Sequence, residues 1–473
     1  MSDWRVAAIV VLVAYLLLML WIGYRAKSRI HGLGDFLVAD RKLPFYLSCA
    51  TLFATWFGGG TCMGSAGAAY EGGVLAAIAD PYAAGVGLIL AGFFYVGILR
   101  KMELLTVTDV FGRYYSRGSE VFASLLMLPV YVGWLGSQMI AVGYVSEAML
   151  GIDATVGTIA GAAFMVAYTR AGGLWAVTHT DFYQVIVVVA GLVVLAPVVV
   201  GAAGGWEAIR IATPSQAWEF FPRGQSDMSW AGYLGRWCLG GLGVVVGQDL
   251  IQRALASRTP EIARTSAITA GVLYLFVGSI PVLLGIAGRS LVPDLADPEM
   301  VVPALATEYL HPVLLGLFIG ALISAIMSSS DSALLAAAAL ISHNVVHRSR
   351  PTMSDIQILS VTRWVTLVVA AVSLLLALRV QSIYALMLNS WATLFVCILV
   401  PVTAALYTKR PSAEAAWVSM IAGALVWFAY LVLYGSAEER FYEATLFGGI
   451  GSLLAYASVA WVRPGPERLR TAS

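Results

Sequence analysis

The residues able to do chemistry in this chain stand inside its most apolar stretches. The run from Ala321 to Ser332 carries Ala325, Ser328, Ser329 and Ser332 at i, i+3, i+4 and i+7, on one helical face, with Asp331 beside them. Hydroxyl and carbonyl oxygens are hard donors that suit a small hard cation; a single serine equally often bonds back to its own preceding turn. A second grouping is Ala54-Thr55-Trp56-Phe57-Gly58-Gly59-Gly60-Thr61. Three consecutive glycines make a poor helix interior, and unwound backbone in an apolar medium is tolerated only around a cavity or inside protein. The run predicts a discontinuous helix whose freed carbonyls face a cation, with close packing through small residues as the alternative. Asp181 lies about two turns into another apolar run, too short a side chain to reach its end. Asp80 interrupts a third beside Pro81, which kinks a helix. Carboxylates so placed mark ion paths or need a partner, and a buried brace is the other role open to each. His179 has no ligand partners nearby and reads as structural.

Bond-making chemistry is poorly served. Five histidines and four cysteines are scattered, and Cys49, Cys62, Cys238 and Cys397 all lie in apolar runs with neither disulfide nor metal spacing. No nucleophile–base pair stands out, so the chain is not expected to be an enzyme.

The elements that must hold these groups follow from composition. Of 473 residues, 60% are hydrophobic and 12% charged, against about 25% charged in soluble domains. Lipid is the solvent such a chain fits. That excludes a water-soluble enzyme, a nucleic-acid binder and a large extramembrane domain, and a net charge of +1 argues for no polyanionic partner. At about 20 residues per span, the apolar runs give thirteen helices: 5–24, 43–69, 74–99, 119–150, 154–169, 176–203, 229–252, 265–288, 312–342, 356–378, 382–407, 412–435 and 441–462. The first lacks a cleavage site and reads as a helix, not a removed signal. The few residues after the last span leave no room for a sensor domain.

Lys and Arg collect in alternate loops, at 25–42, 100–117, 170, 253–264, 348–350, 409–410 and 463–470, and these hold twenty of the 28 basic residues. The bias puts the N-terminus outside and the C-terminus in the cytoplasm, in the cytoplasmic membrane. Arg253 is counted among these loop bases. Arg236 and Arg363, in or near spans, read as paired or snorkelling.

Together these stretches resemble the solute/sodium symporter family. The resemblance rests on Ala54-Thr55-Trp56 with its glycines, Gly172-Gly173-Leu174 through Asp181 and Gln184, Ala325-Ile326-Met327-Ser328-Ser329 through Asp331-Ser332, and Gln248 through Gln252-Arg253. It runs over nearly the whole chain. It implies an all-α integral membrane protein with a LeuT-like core of two inverted five-helix repeats, 43–203 and 229–407, one helix before (5–24) and two after (412–462). It implies sodium as the coupled ion, with the main site formed by the carbonyls of Ala54, Phe57 and Ala325 and the hydroxyls of Ser328 and Ser329. Asp181, Asp331, Ser328 and Ser332 resemble a second sodium site of some members, although two carboxylates around one sodium ion depart from it.

Within the family the Trp56 region looks most like the choline transporters, which hold a quaternary ammonium in an aromatic cage. Trp56 and Trp134 resemble two cage positions, while Ala84 and Gly247 stand where two rings are absent. The implied substrate is a small organic cation or an amino acid bound near Trp56, Thr61, Asp80, Tyr82, Trp134 and Gln248. Sugars fit less well, because Thr61 replaces a longer amide. The alternatives are a proton-coupled carrier using Asp80, Asp181 and Asp331, or carriage of a monocarboxylate or other small metabolite. The required partners are a small-molecule substrate and a lipid bilayer; oligomeric state is open, and one copy suffices.

Overall fold

The computed structural model describes residues 32–223, 228–380 and 382–467, with scattered positions between 10 and 25. The helix expected over 5–24 therefore falls largely outside the described residues. Among those residues the chain is helical, without a strand. The elements that matter here are α1 (Phe45–Trp56), α2 (Gly60–Ala76), α3 (Ile78–Phe94), α4 (Arg117–Leu150), α5 (Ala154–Ala202), α6 (Gln248–Ala256), α7 (Pro260–Leu291), α8 (Pro312–His347), α9 (Asp355–Ala377), α10 (Ile383–Tyr407), α11 (Ala413–Tyr434) and α12 (Glu438–Val462).

Among the described residues eight helices are long and apolar enough to cross a bilayer, and α2 with α3, bent by 77°, makes a ninth if the pair counts as one span. Several of the other apolar runs are interrupted. The run 43–69 breaks between Trp56 and Gly60. The run 229–252 divides into Trp230–Trp237, two tight turns, and α6 beyond Gly247. Gly173 interrupts α5 with φ +51°, and a Cβ there would stand 2.6 Å from the Phe36 ring. Only glycine meets both demands.

Side-chain caps set several boundaries. Ser116 and Ser354 close reciprocal capping boxes at α4 and α9, and Thr259 precedes Pro260 at the start of α7.

Helix α8 is the inner member, buried continuously from Phe318 to Leu340 and packed on α1, α4 and α5. Helices α11 and α12 turn most of their surface outward, as lipid-facing helices do. One end of α8 is tied down by a buried polar network. Asp109, at the start of a short helix before α4, accepts from His343 at 3.0 Å and Asn344 at 2.9 Å, and Glu120 accepts from Asn344 and Arg348. Burial would push the Asp109 carboxyl up, but His343 and the backbone N–H groups of Thr106 and Leu105 outweigh it and hold it at about 2.

Arg253 corrects the loop assignment. It is no loop base but lies inside α6, with none of its surface exposed.

Candidate functional site

The unwound segment and the serine stripe meet. Helix α1 ends where Phe57 takes ψ 78°, and the Gly58 N–H turns back to the Trp56 carbonyl at 2.8 Å. The three glycines each admit a different neighbour. A Cβ on Gly58 would lie 2.2 Å from Ser329 Oγ, one on Gly59 2.6 Å from Ala141, and one on Gly60 2.1 Å from Met387 Sδ. The Gly59 N–H donates to Gln138 Oε1 at 2.9 Å, which fixes the break against α4.

The Ala54 carbonyl accepts from Ser328 at 3.2 Å and from Ser329 at 3.3 Å. Ser328 also stands 2.5 Å from Asp181 Oδ1, and Thr51 2.5 Å from Asp181 Oδ2. Ser332 donates to the Ser328 carbonyl and reaches Thr55 at 3.5 Å, while Asp331 accepts from Thr169. Ala325 is buried one turn before the serines on α8, and Phe57 sits at the break. The donors gathered here are hydroxyl, carbonyl and carboxylate oxygens, the hard set a sodium ion takes. Among the described residues no group of three His, Cys, Asp or Glu could hold a metal ion.

Beside this lies a ring cluster built around a carboxylate. Trp56 Nε1 donates to Asp249 Oδ2 at 2.6 Å, and the Tyr131 hydroxyl donates to Asp249 Oδ1 at 3.0 Å. Trp391 of α10 stands 6.3 Å from Trp56 and 6.2 Å from Trp134 between ring centroids, and Tyr131 and Tyr274 flank Trp134 and Trp56 at 6.5 Å each. All five rings are buried, and among the described residues no hydrogen-bond acceptor meets Trp134 Nε1.

Asp80 accepts from Thr61 at 2.7 Å, Tyr274 at 2.8 Å and Ser65 at 3.2 Å. Thr61 and Tyr274 also bond each other and the Trp56 carbonyl. Asp80 therefore braces α2, α3 and α7 directly behind Trp56.

Of the six residues expected near the substrate, the fold gathers Trp56, Trp134, Thr61 and Asp80. Two go elsewhere. Tyr82 packs on Phe220 at 5.5 Å, because Asp80 takes extended dihedrals and swings the next residues out of helical register. Gln248 Oε1 accepts from the Val107 N–H at 2.8 Å and pins a loop. Asp249, Trp391, Tyr131, Tyr274, Gln138 and Thr51 escape a reading by motif. Thr51 and Thr55, four apart on α1, are the one signal among them that helical spacing offers.

The match to known proteins comes at this point. The model of the sodium:solute symporter family fits residues 36–423. The chain belongs to that family. This symporter is 27% identical over 444 residues to the high affinity choline transporter 1 of Homo sapiens, covering 88% of this chain and 75% of that one. It is 29% identical over 435 residues to the sodium/pantothenate symporter of Escherichia coli, covering 89% and 90%. Among solved structures, a Na+-coupled sialic acid symporter in a substrate-bound outward-open state superposes with a TM-score of 0.84 at 21% identity, over 98% of this chain and 99% of that one. That likeness concerns the fold. The protein is thus a membrane transporter of a symporter family, not an enzyme, and sodium is its coupling ion.

A cavity of 640 Å³ is lined by Glu71, Asp297, Glu299 and Glu438, with Arg236 and Tyr384. Arg236 is paired with Glu438 and Glu439. Glu299 caps α10, accepting from the N–H groups of Tyr384 and Ile383 at 2.7 and 2.8 Å and from Ser382 at 3.1 Å. Down one face of α10, Tyr384 then meets Gly64, Met387 meets Gly60, and Trp391 meets the ring cluster. Glu299 therefore holds the helix that separates the cavity from the rings.

Burial pushes the Glu299 carboxyl up to about 7, against the hydrogen bonds it accepts. An acid raised above its ordinary 4.5 favours the folded state fully below that value and loses the advantage as pH climbs through about 7. Thermal stability of the wild type should therefore fall between about pH 4.5 and 7 relative to Glu299→Gln, by up to about 3 kcal/mol at 1.36 kcal/mol per unit. Parallel pH profiles of the two proteins in detergent check this; coincident curves would exclude it.

Proposed function

We propose that this symporter imports a small quaternary ammonium or related organic cation with sodium, by alternating access. The observation that carries the reading is Asp249, a buried carboxylate hydrogen-bonded to the Trp56 indole inside a cluster of aromatic rings. Ring faces attract a desolvated cation, and the carboxylate supplies the opposite charge a buried cation needs. Trp391 supplies a ring that Ala84 and Gly247 do not, so Trp56, Trp134, Trp391 and Tyr131 form the cage. Several of the curated relatives are choline transporters, and choline is such a cation.

Sodium binds to the carbonyls of Ala54, Phe57 and Ala325 and the hydroxyls of Ser328 and Ser329. Asp181, Asp331 and Ser332 form a second cation position next to it. Bound sodium pins the unwound end of α1 to α8 and so sets Trp56 in place for the substrate. Parting of the two helices releases both. The sodium gradient drives the cycle, with about 2.3 kcal/mol added per charge per 100 mV. The two broken segments, at Phe57–Gly59 and at Gly247, are the first helices of inverted repeats over 43–203 and 229–407 within a thirteen-span chain. The N-terminus is outside, the C-terminus cytoplasmic, and one copy is the working unit.

The test is uptake of labelled choline into proteoliposomes under an inward sodium gradient or an inward proton gradient. Choline uptake driven by sodium is expected. Uptake driven by protons alone, or thermal stabilisation by carboxylates and not by quaternary amines, would overturn the proposal.

A further inference from the structure

Arg253 is among the largest side chains with no exposed surface, and the proposed cycle gives it no task. It sits on α6 one turn beyond Asp249 and donates from Nη1 to the Asp249 carbonyl at 3.2 Å. Among the described residues its Nε and Nη2 have no hydrogen-bond partner. Asp181, Asp249 and Asp331 lie near enough for their charges to favour its own. The hydrogen bonds on these carboxylates come instead from Thr51 and Ser328, from Trp56 and Tyr131, and from Thr169. A buried guanidinium with unused donors is costly, and a purely structural arginine in this position would be expected to spend them.

We infer that Arg253 is a tethered cation of the ion site, sharing Asp181 with sodium. With sodium bound, the guanidinium is kept off Asp181 and its Nε and Nη2 stay idle. When sodium leaves, those donors turn to Asp181, so the emptied carrier holds no unpaired carboxylate in its core. The same positive charge repels sodium and keeps its binding loose enough for release. This inference rests on the sodium site proposed above.

The test uses sodium alone, as binding of labelled sodium to the full chain in lipid nanodiscs. Removing a like charge from the buried surroundings of the site is expected to tighten a cation by about tenfold or more. Arg253→Gln should therefore lower the sodium concentration for half-saturation by that factor, whereas Arg253→Lys, which keeps the charge, should stay within about threefold of wild type. Should Arg253→Gln fail to fold, Arg253→His serves, since an imidazole can be charged or neutral between about pH 5.5 and 8.5. Its sodium affinity should rise about tenfold across that range beyond any change in wild type. Unchanged or weakened sodium binding in a folded neutral variant would overturn the role of Arg253 alone. Absence of saturable sodium binding in the wild type would instead overturn the sodium site on which it rests.

Discussion

Replacing Ser328 and Ser329 together by alanine is expected to raise the sodium concentration for half-saturation by about a hundredfold or more. Hydrogen bonds and ligand contacts to charged groups are worth about 1.5–3 kcal/mol each, so losing two hydroxyls costs about 3–6 kcal/mol, at 1.4 kcal/mol per tenfold. Both hydroxyls converge on the Ala54 carbonyl, and Ser328 is also on Asp181. No other hydroxyl on α8 meets that carbonyl. Helix α8 tolerates the change, because alanine is the best helix former. Ser330 is the internal control. It is equally buried but bonds only back to Ile326 at 2.7 Å, and Ser330→Ala should leave sodium binding within about twofold. Binding of labelled sodium, with thermal stability measured alongside, separates ion affinity from folding. Sodium affinity unchanged in the double variant would place the ion elsewhere.

What could be read in advance followed from periodicity and from residues that conflict with their surroundings. The serine stripe was legible because four positions obey the helical repeat. The glycine run was legible because no helix keeps three glycines without reason. The reason itself lies in partners remote in sequence: Ser329 against Gly58 and Met387 against Gly60. Proximity of that kind leaves no local mark. Asp181 and Asp80 stood out as carboxylates in apolar runs, and both are fully buried with hydroxyl partners.

The misplacements have equally physical causes. Arg253 follows a polar stretch, Gln248-Asp249, and so resembled the end of a span. The break at Gly247 places that stretch in the core instead, which also hid Asp249. Tyr82 follows Asp80 by two residues, and the extended dihedrals of Asp80 reset the register after it. The missing rings were sought on α3 and at Gly247, where the resemblance located them. Trp391 arrives from α10, which no spacing rule connects to α1.

Asp249→Asn should separate the substrate from the ion. The change keeps the size of the side chain, and the amide oxygen can still accept from Trp56 or Tyr131, so the ring cluster should persist. What disappears is the negative charge. Truncating one member of a buried charge pair costs about 2–5 kcal/mol, so choline binding should weaken by about a hundredfold or more. The proposed sodium site, at Ala54, Ser328 and Asp181, does not include Asp249, and sodium binding there should weaken by no more than about tenfold through the lost long-range attraction. The neutral isostere of choline, with carbon in place of the ammonium nitrogen, supplies the decisive comparison. The wild type should prefer choline strongly over it, because the rings and the carboxylate both reward charge. In Asp249→Asn most of that preference should vanish, leaving only what the rings contribute, about 0.5–2 kcal/mol. Trp391→Ala should do the converse, weakening both ligands while keeping the preference that Asp249 confers. Competition of each compound against labelled choline in nanodiscs measures all six values. An undiminished preference for choline in Asp249→Asn would mean that the substrate's charge is met elsewhere, with Asp80 the next carboxylate behind Trp56.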